Sequence, residues 1–146
     1  MAYTCPPHAL NRKGEAKGML IGGNLTLLAH AVGTSSDLKT RGCILFIEDI
    51  GEYLYNVDRM LYQLKRAGKL HKPEGVVIGS FTDCKDTERP FGKNAYEIIR
   101  DVLDEFDFPV CFGFPVGHEA ENYALKCGAV YRLKVGNNKV TLEEAG

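Results

Sequence analysis

Three continuous apolar runs punctuate the chain, and stretches of helical period separate them. The runs are "GCILFIED" at 42–49, "EGVVIGSF" at 74–81 and "FPVCFGFPVG" at 108–117. A run without polar alternation predicts a strand buried on both faces, as in a parallel sheet. Between the first two lies "EYLYNVDRMLYQLKRAGKL", where Leu54, Val57, Met60, Leu61 and Leu64 recur at helical spacing. Lys65 and Arg66 fall in its last turn, where they suit the helix dipole, and Gly68 ends it. Between the second and third runs, 94–106 predicts another helix, apolar at Ile98, Ile99, Val102 and Leu103. Upstream, "GGNLTLLAHAVG" at 22–33 predicts a short buried helix. Asn24 is its N-cap, Leu25, Leu28, Ala29 and Val32 form its apolar face, and Gly33 sits just past its end.

The two ends of the chain read differently. Residues 1–18 carry Pro6, Pro7, Gly14 and Gly18 with alternating charge and no apolar period, which predicts loop or linker. "AVYRLKVGNNKVTLEE" predicts a closing hairpin with Gly136, Asn137 and Asn138 at its turn. Strands alternating with helices, then a hairpin, imply an α/β domain with a partly parallel central sheet, a smaller antiparallel sheet or hairpin, and about three helices. Sites in such sheets gather beyond the carboxyl ends of strands. Glu48, Asp49, Ser80, Asp83 and His118 all fall there.

Composition narrows the classes. A chain of 146 residues, 45% hydrophobic and 25% charged, suffices for one domain with a real core. The net charge is −1, from 18 basic and 19 acidic residues without a run of Lys or Arg, which argues against nucleic acid or an anionic membrane as partner. Five cysteines, odd in number and widely spaced, argue against a disulfide framework or zinc knuckle and fit a reducing cytoplasm. The apolar stretches are too short to span a bilayer, and 1–18 lacks the apolar core of a signal peptide.

The candidate chemistry centres on two places. Glu48 or Asp49 at a strand end could hold a histidine in one tautomer, or could cap the helix that follows. Asp49, nearer that helix, suits capping; Glu48, continuing the strand, suits the orienting role. His118, after Pro-x-Gly, is either a hydrogen-bonded loop residue or a general base beside other polar strand ends. A nucleophile is missing. No serine sits on a G-x-S-x-G elbow: Ser35 and Ser36 lie in a polar loop, and Ser80 ends a strand. Cys84 and Cys111 lack a basic cluster or helix N-terminus to activate them. His8, His30, His71 and His118 show no metal-binding spacing, and no glycine turn matches a nucleotide fingerprint, so neither metal nor cofactor is expected. His30 reads as a core histidine, and the tyrosines of 53–62 read as packing.

Several stretches together resemble the C-terminal domain of the LD-carboxypeptidases, the muramoyltetrapeptide carboxypeptidase family of serine peptidases. They are "LIGGNLTLLAHAVGT", "GCILFIEDIGEYLYNVDRMLYQLKRAG", "GVVIGSFTDC" and "FPVGHEAENYALKCGA". The likeness runs from about Pro6 to the end. One departure is Lys126, where the family often has proline. The resemblance implies a swivelling-type β/β/α domain at 19–146, with 1–18 a remnant of an interdomain linker and the N-terminal nucleophile domain absent. It implies Glu48 as orienting acid and His118 as general base of a Ser-Glu-His triad, in a chain inactive by itself. The implied substrate is the murein tetrapeptide, cut before its terminal D-Ala in cytoplasmic wall recycling. The implied partners are the chain's own N-terminal domain and a second copy in a homodimer. A related branch cleaves a peptide-nucleotide antibiotic in self-immunity. Against these stands a different class, a non-catalytic dimerisation or peptide-binding domain.

Overall fold

Along β3 (Cys43–Ile50) successive side chains enter two different hydrophobic cores. Leu45 and Ile47 belong to one cluster, Ile44 and Phe46 to the other, because a strand turns alternate residues to opposite faces. This is why the run is apolar without alternation. The computed structural model describes residues 1–146 and shows one seven-stranded sheet, ordered β1-β7-β6-β2-β3-β4-β5. β2 (Gly14–Asn24), β3, β4 (Gly75–Thr82) and β5 (Val110–Cys111) form its parallel half. β1 (Ala2–Cys5), β6 (Val130–Val135) and β7 (Val140–Glu144) extend it by antiparallel pairing, so the closing hairpin is continuous with the main sheet.

The parallel strands follow one another in order, so each crossover steps in the same direction. Right-handed crossovers then place every helix on one face. Helices α1 (Leu25–Ala31), α2 (Leu54–Arg66) and α3 (Ala95–Leu103) all contribute to the same core with Leu45, Ile47, Val76 and Ile78. The opposite face is lined from Cys5 to Val77 and covered by residues of the 112–129 loop, among them Phe114, Val116, Tyr123 and Leu125.

Local chemistry sets the helix ends. Asn24 accepts from the Leu27 N–H, as expected of the N-cap. Asn94 and Glu97 form a reciprocal capping box at α3. At the end of α2 the Lys69 N–H reaches the Leu64 carbonyl at 2.9 Å and the Gly68 N–H the Lys65 carbonyl at 3.0 Å. Gly68 holds φ 77, the left-handed turn this closure requires.

Four expectations need correction. Residues 1–18 are not all loop: Ala2–Cys5 forms the edge strand β1 and the chain re-enters the sheet at Gly14. Their pairing with β7 and β6 supplies an order that local sequence does not carry. The third strand is ladder-paired only at Val110–Cys111. Pro109 and Pro115 have no N–H to give, although Phe114 and Val116 keep the chain beside β4 through the Phe114 N–H to Ile78 O and the Ser80 N–H to Val116 O. The tyrosines of α2 lie outside the core, with Tyr53, Tyr55 and Tyr62 exposed. Tyr53 stacks on Tyr55 at 5.4 Å, and Arg59 lies 5.1 Å from the Tyr55 ring. His30 is exposed too, its Nδ1 2.7 Å from the Thr26 carbonyl.

Burial fixes the expected energetics of α2. Leu61 is fully buried, whereas Leu27 on α1 is 68% exposed. Leu61→Ala is expected to lower unfolding free energy by about 2–5 kcal/mol, and Leu27→Ala to change it by less than about 0.5 kcal/mol, both read from urea denaturation.

Candidate active site

Glu48 and Asp49 end a strand buried on both sides, and both carboxylates are largely withdrawn from water: Glu48 is 8% exposed and Asp49 2%. A buried carboxylate is tolerated only when its oxygens are hydrogen-bonded. The two acids meet this demand in opposite directions.

Asp49 turns toward α1. Its Oδ2 accepts from the Thr26 backbone N–H at 3.0 Å and the Thr26 hydroxyl at 2.7 Å. Its Oδ1 accepts from the Asn24 side chain at 2.9 Å and the Ile50 N–H at 2.8 Å. The carboxylate therefore braces the N-terminus of the helix leaving β2, not the following helix as the sequence suggests. The N-cap of α2, Tyr53, makes no side-chain cap bond. The reason is register. β2 and β3 run parallel with Asn24 opposite Glu48, so the end of β3 lies beside the start of α1.

Glu48 turns toward the 112–129 loop. Its Oε2 lies 2.9 Å from His118 Nδ1. A carboxylate only accepts, so the proton on that edge belongs to Nδ1, which leaves Nε2 of the neutral ring as an acceptor. The His118 side chain is 51% exposed against 10% for Glu48. The pair is thus a buried carboxylate holding an imidazole whose free edge faces outward, the arrangement a base and its orienter require.

The loop carrying His118 is tightly built. The Gly117 N–H donates to Asn122 Oδ1 at 3.2 Å, and the Tyr123 N–H to the Pro115 carbonyl at 2.7 Å. Tyr123 stacks on Tyr3 at 4.9 Å, fastening the loop to β1. Gly117 has φ 129 and lies against Glu48 and Ser80, so a Cβ there would overlap the Ser80 hydroxyl. A side chain at 117 is excluded both by conformation and by space.

The remaining candidates are placed elsewhere or disarmed. Ser80 is 2% exposed and its hydroxyl is engaged with Val116 and His118. Ser35 and Ser36 are exposed in the loop after α1, and Asp83 sits just past β4 at φ 52. Burial pushes the Cys84 thiol up, and the Asp49, Glu52 and Asp83 carboxylates push the same way. Burial, seconded by Cys5, drives the Cys111 thiol well above its ordinary range. Neither carries the thiolate that attack needs. No group of three His, Cys, Asp or Glu side chains comes together to hold a metal ion. Sequence reasoning missed Thr26, Ser80, Thr82 and Asn122 as partners of these acids and of the histidine loop. Their only sequence signal was hydroxyls and amides clustered near strand ends, which any turn also shows.

Residues 17–133 match the LD-carboxypeptidase C-terminal domain, and the chain belongs to that family. It is 36% identical to a probable murein peptide carboxypeptidase of Bacillus subtilis, across 89% of this chain and 41% of that protein. The crystal structure of a muramoyltetrapeptide carboxypeptidase from Oxalobacter formigenes superposes with TM-score 0.90 at 32% identity, covering 100% of this chain and 50% of the other. The microcin C7 self-immunity protein MccF of Escherichia coli is 28% identical across 90% of this chain and 38% of its own length. The chain therefore spans half or less of the length of these proteins.

Two outcomes follow from this geometry. Asp49→Asn turns an acceptor into a donor facing donors and is expected to destabilise by about 1–3 kcal/mol in chemical denaturation, while Glu48→Gln, whose amide oxygen can still accept from His118 Nδ1, is expected to cost less. In a thiol titration of the native chain, the exposed Cys127 is expected to react at once and the buried Cys5, Cys43 and Cys111 only in denaturant.

Proposed function

We propose that this chain is the base-bearing part of a serine carboxypeptidase acting on murein tetrapeptide, and that its nucleophile lies in an N-terminal domain outside this sequence. The observation that carries the reading is the 2.9 Å contact between His118 Nδ1 and Glu48 Oε2, with the other edge of the ring free. Membership of the LD-carboxypeptidase C-terminal domain family supports it.

In this mechanism His118 Nε2 takes the proton of the attacking serine and returns it to the amine of the leaving D-alanine. Glu48 keeps the Nδ1 proton engaged and offsets the charge of the imidazolium while it exists. Backbone N–H groups of the other domain supply the oxyanion site. Residues 1–18 join that domain to the one at 19–146, even though part of the segment is built into the sheet. The protein works in the cytoplasm on recycled wall peptides and pairs as a homodimer. The substrate assignment follows the murein peptide enzymes, to which identity is higher than to the antibiotic-immunity protein, 36% against 28%.

D-alanine release from purified murein tetrapeptide decides the matter. The chain alone is expected to release none, and release is expected once the N-terminal domain is supplied. His118→Ala in the mixture should reduce turnover on the order of 10⁴-fold. Turnover unchanged by that substitution would favour a binding or dimerisation domain instead.

A further inference from the structure

The parallel register between β3 and β4 slips at the site. From Ile47 to Asp49 β3 advances two residues while β4 advances three, from Ile78 to Phe81, so Gly79 and Ser80 together oppose Glu48. A bulge of this kind re-aims a side chain that a regular ladder would direct elsewhere. Here it brings a buried hydroxyl beneath the histidine loop. Ser80 Oγ accepts from the backbone N–H of His118 at 3.1 Å and donates to the Val116 carbonyl at 3.3 Å. Two residues further along β4, Thr82 Oγ1 donates to the His118 carbonyl at 3.4 Å. Residues i and i+2 share a strand face, so one strand end holds both the N–H and the C=O of the same residue.

We propose that Ser80, seconded by Thr82, is the positioning residue that sets the His118 imidazole against Glu48. This rests on the reading of Glu48 and His118 as orienter and base. The ring needs such a device. It is half exposed, so packing does not fix it, and its one side-chain hydrogen bond is to Glu48. Asn122 to Gly117 and Tyr123 to Pro115 set the loop's shape, Tyr123 on Tyr3 ties it to β1, and the Phe114 N–H to Ile78 carbonyl bond seats its start on β4; none of these holds His118 itself. The Ser80 N–H to Val116 carbonyl bond, 2.8 Å, belongs to the backbone and survives loss of the hydroxyl. Removing the hydroxyl therefore leaves the strand pairing in place and frees the residue that bears the base. A displacement of about 1 Å at such a group is enough to lose on the order of 100-fold in rate.

The test is a proton NMR measurement on the chain itself. The Nδ1 proton of His118, held by Glu48, should give a protected downfield resonance that Glu48→Leu, which removes the acceptor, abolishes. Ser80→Ala is expected to keep the fold and to raise the exchange of that proton with water roughly ten-fold, the loss of one well-made hydrogen bond. Thr82→Val, at a half-buried site with a longer bond, should raise it less. A resonance and exchange rate unchanged in Ser80→Ala, whatever happens to its melting temperature, overturns the proposal. If Ser80→Ala does not fold, Thr82→Val decides: faster exchange supports the clasp and an unchanged rate overturns it. No such resonance in the unsubstituted chain, or its persistence in Glu48→Leu, sinks the orienter–base reading and takes this proposal with it.

Discussion

Two adjacent carboxylates at the end of a strand buried on both faces are the constraint around which this domain is arranged. Eight residues of β3 run between two cores, and the last polar pair cannot reach bulk water by leaving the sheet early. Each acid must find donors within the fold. Adjacent residues on a strand point to opposite sides, so one partner set cannot serve both. Asp49 is met on the helical side by Asn24, Thr26 and a backbone N–H; Glu48 is met on the other side by a histidine from a distant loop. The same alternation that divides the core into two clusters thus divides the acids into one that braces α1 and one that holds His118.

The brace has consequences for Glu48. Asp49 ties the start of α1 to the end of β3, and α1 leaves directly from β2, the neighbour that pairs with Glu48. On the far side of Glu48, β4 carries its bulge and the histidine loop closes over it at Gly117, whose missing side chain is what allows Glu48 and Ser80 to lie so near. Three consecutive strand ends therefore converge on one carboxylate. A long loop carries the responsive group, and regular elements hold it, the division of labour common to sites on rigid scaffolds.

Most of the elements were legible because periodicity reports burial directly. The apolar runs at 42–49 and 74–81 are strands, and Leu25, Val57, Leu61, Leu64, Ile98, Ile99 and Val102 all face the helical core, as their spacing predicts. What was not legible depends on partners remote in sequence. β1 is four residues at a sheet edge whose only ladder is with β7, near the other end of the chain. The choice between α1 and α2 as the helix that Asp49 braces rests on inter-strand register, which a single strand does not encode. The exposed tyrosines of α2 misled because aromatic residues fit both a core and a stacked surface pair. Within the site, Glu48 and His118 were visible as polar residues at strand ends. Ser80 was visible only as a poor nucleophile, because a one-residue bulge leaves no mark in the pattern of apolar and polar positions.

That same bulge explains why a serine without nucleophilic character belongs at this place. Its hydroxyl is spent on two backbone groups, one accepted and one donated, and at 2% exposure it has no route to a substrate. A nucleophile needs the reverse, a hydroxyl presented to solvent with a base at hand. His118 is placed the other way about: Glu48 lies inside, the imidazole is half exposed, and the ring's hydrogen bond is made through Nδ1. A buried acid fixes one edge of the ring and a buried hydroxyl seats its backbone, which is the geometry that the proposed reading of His118 as a base requires.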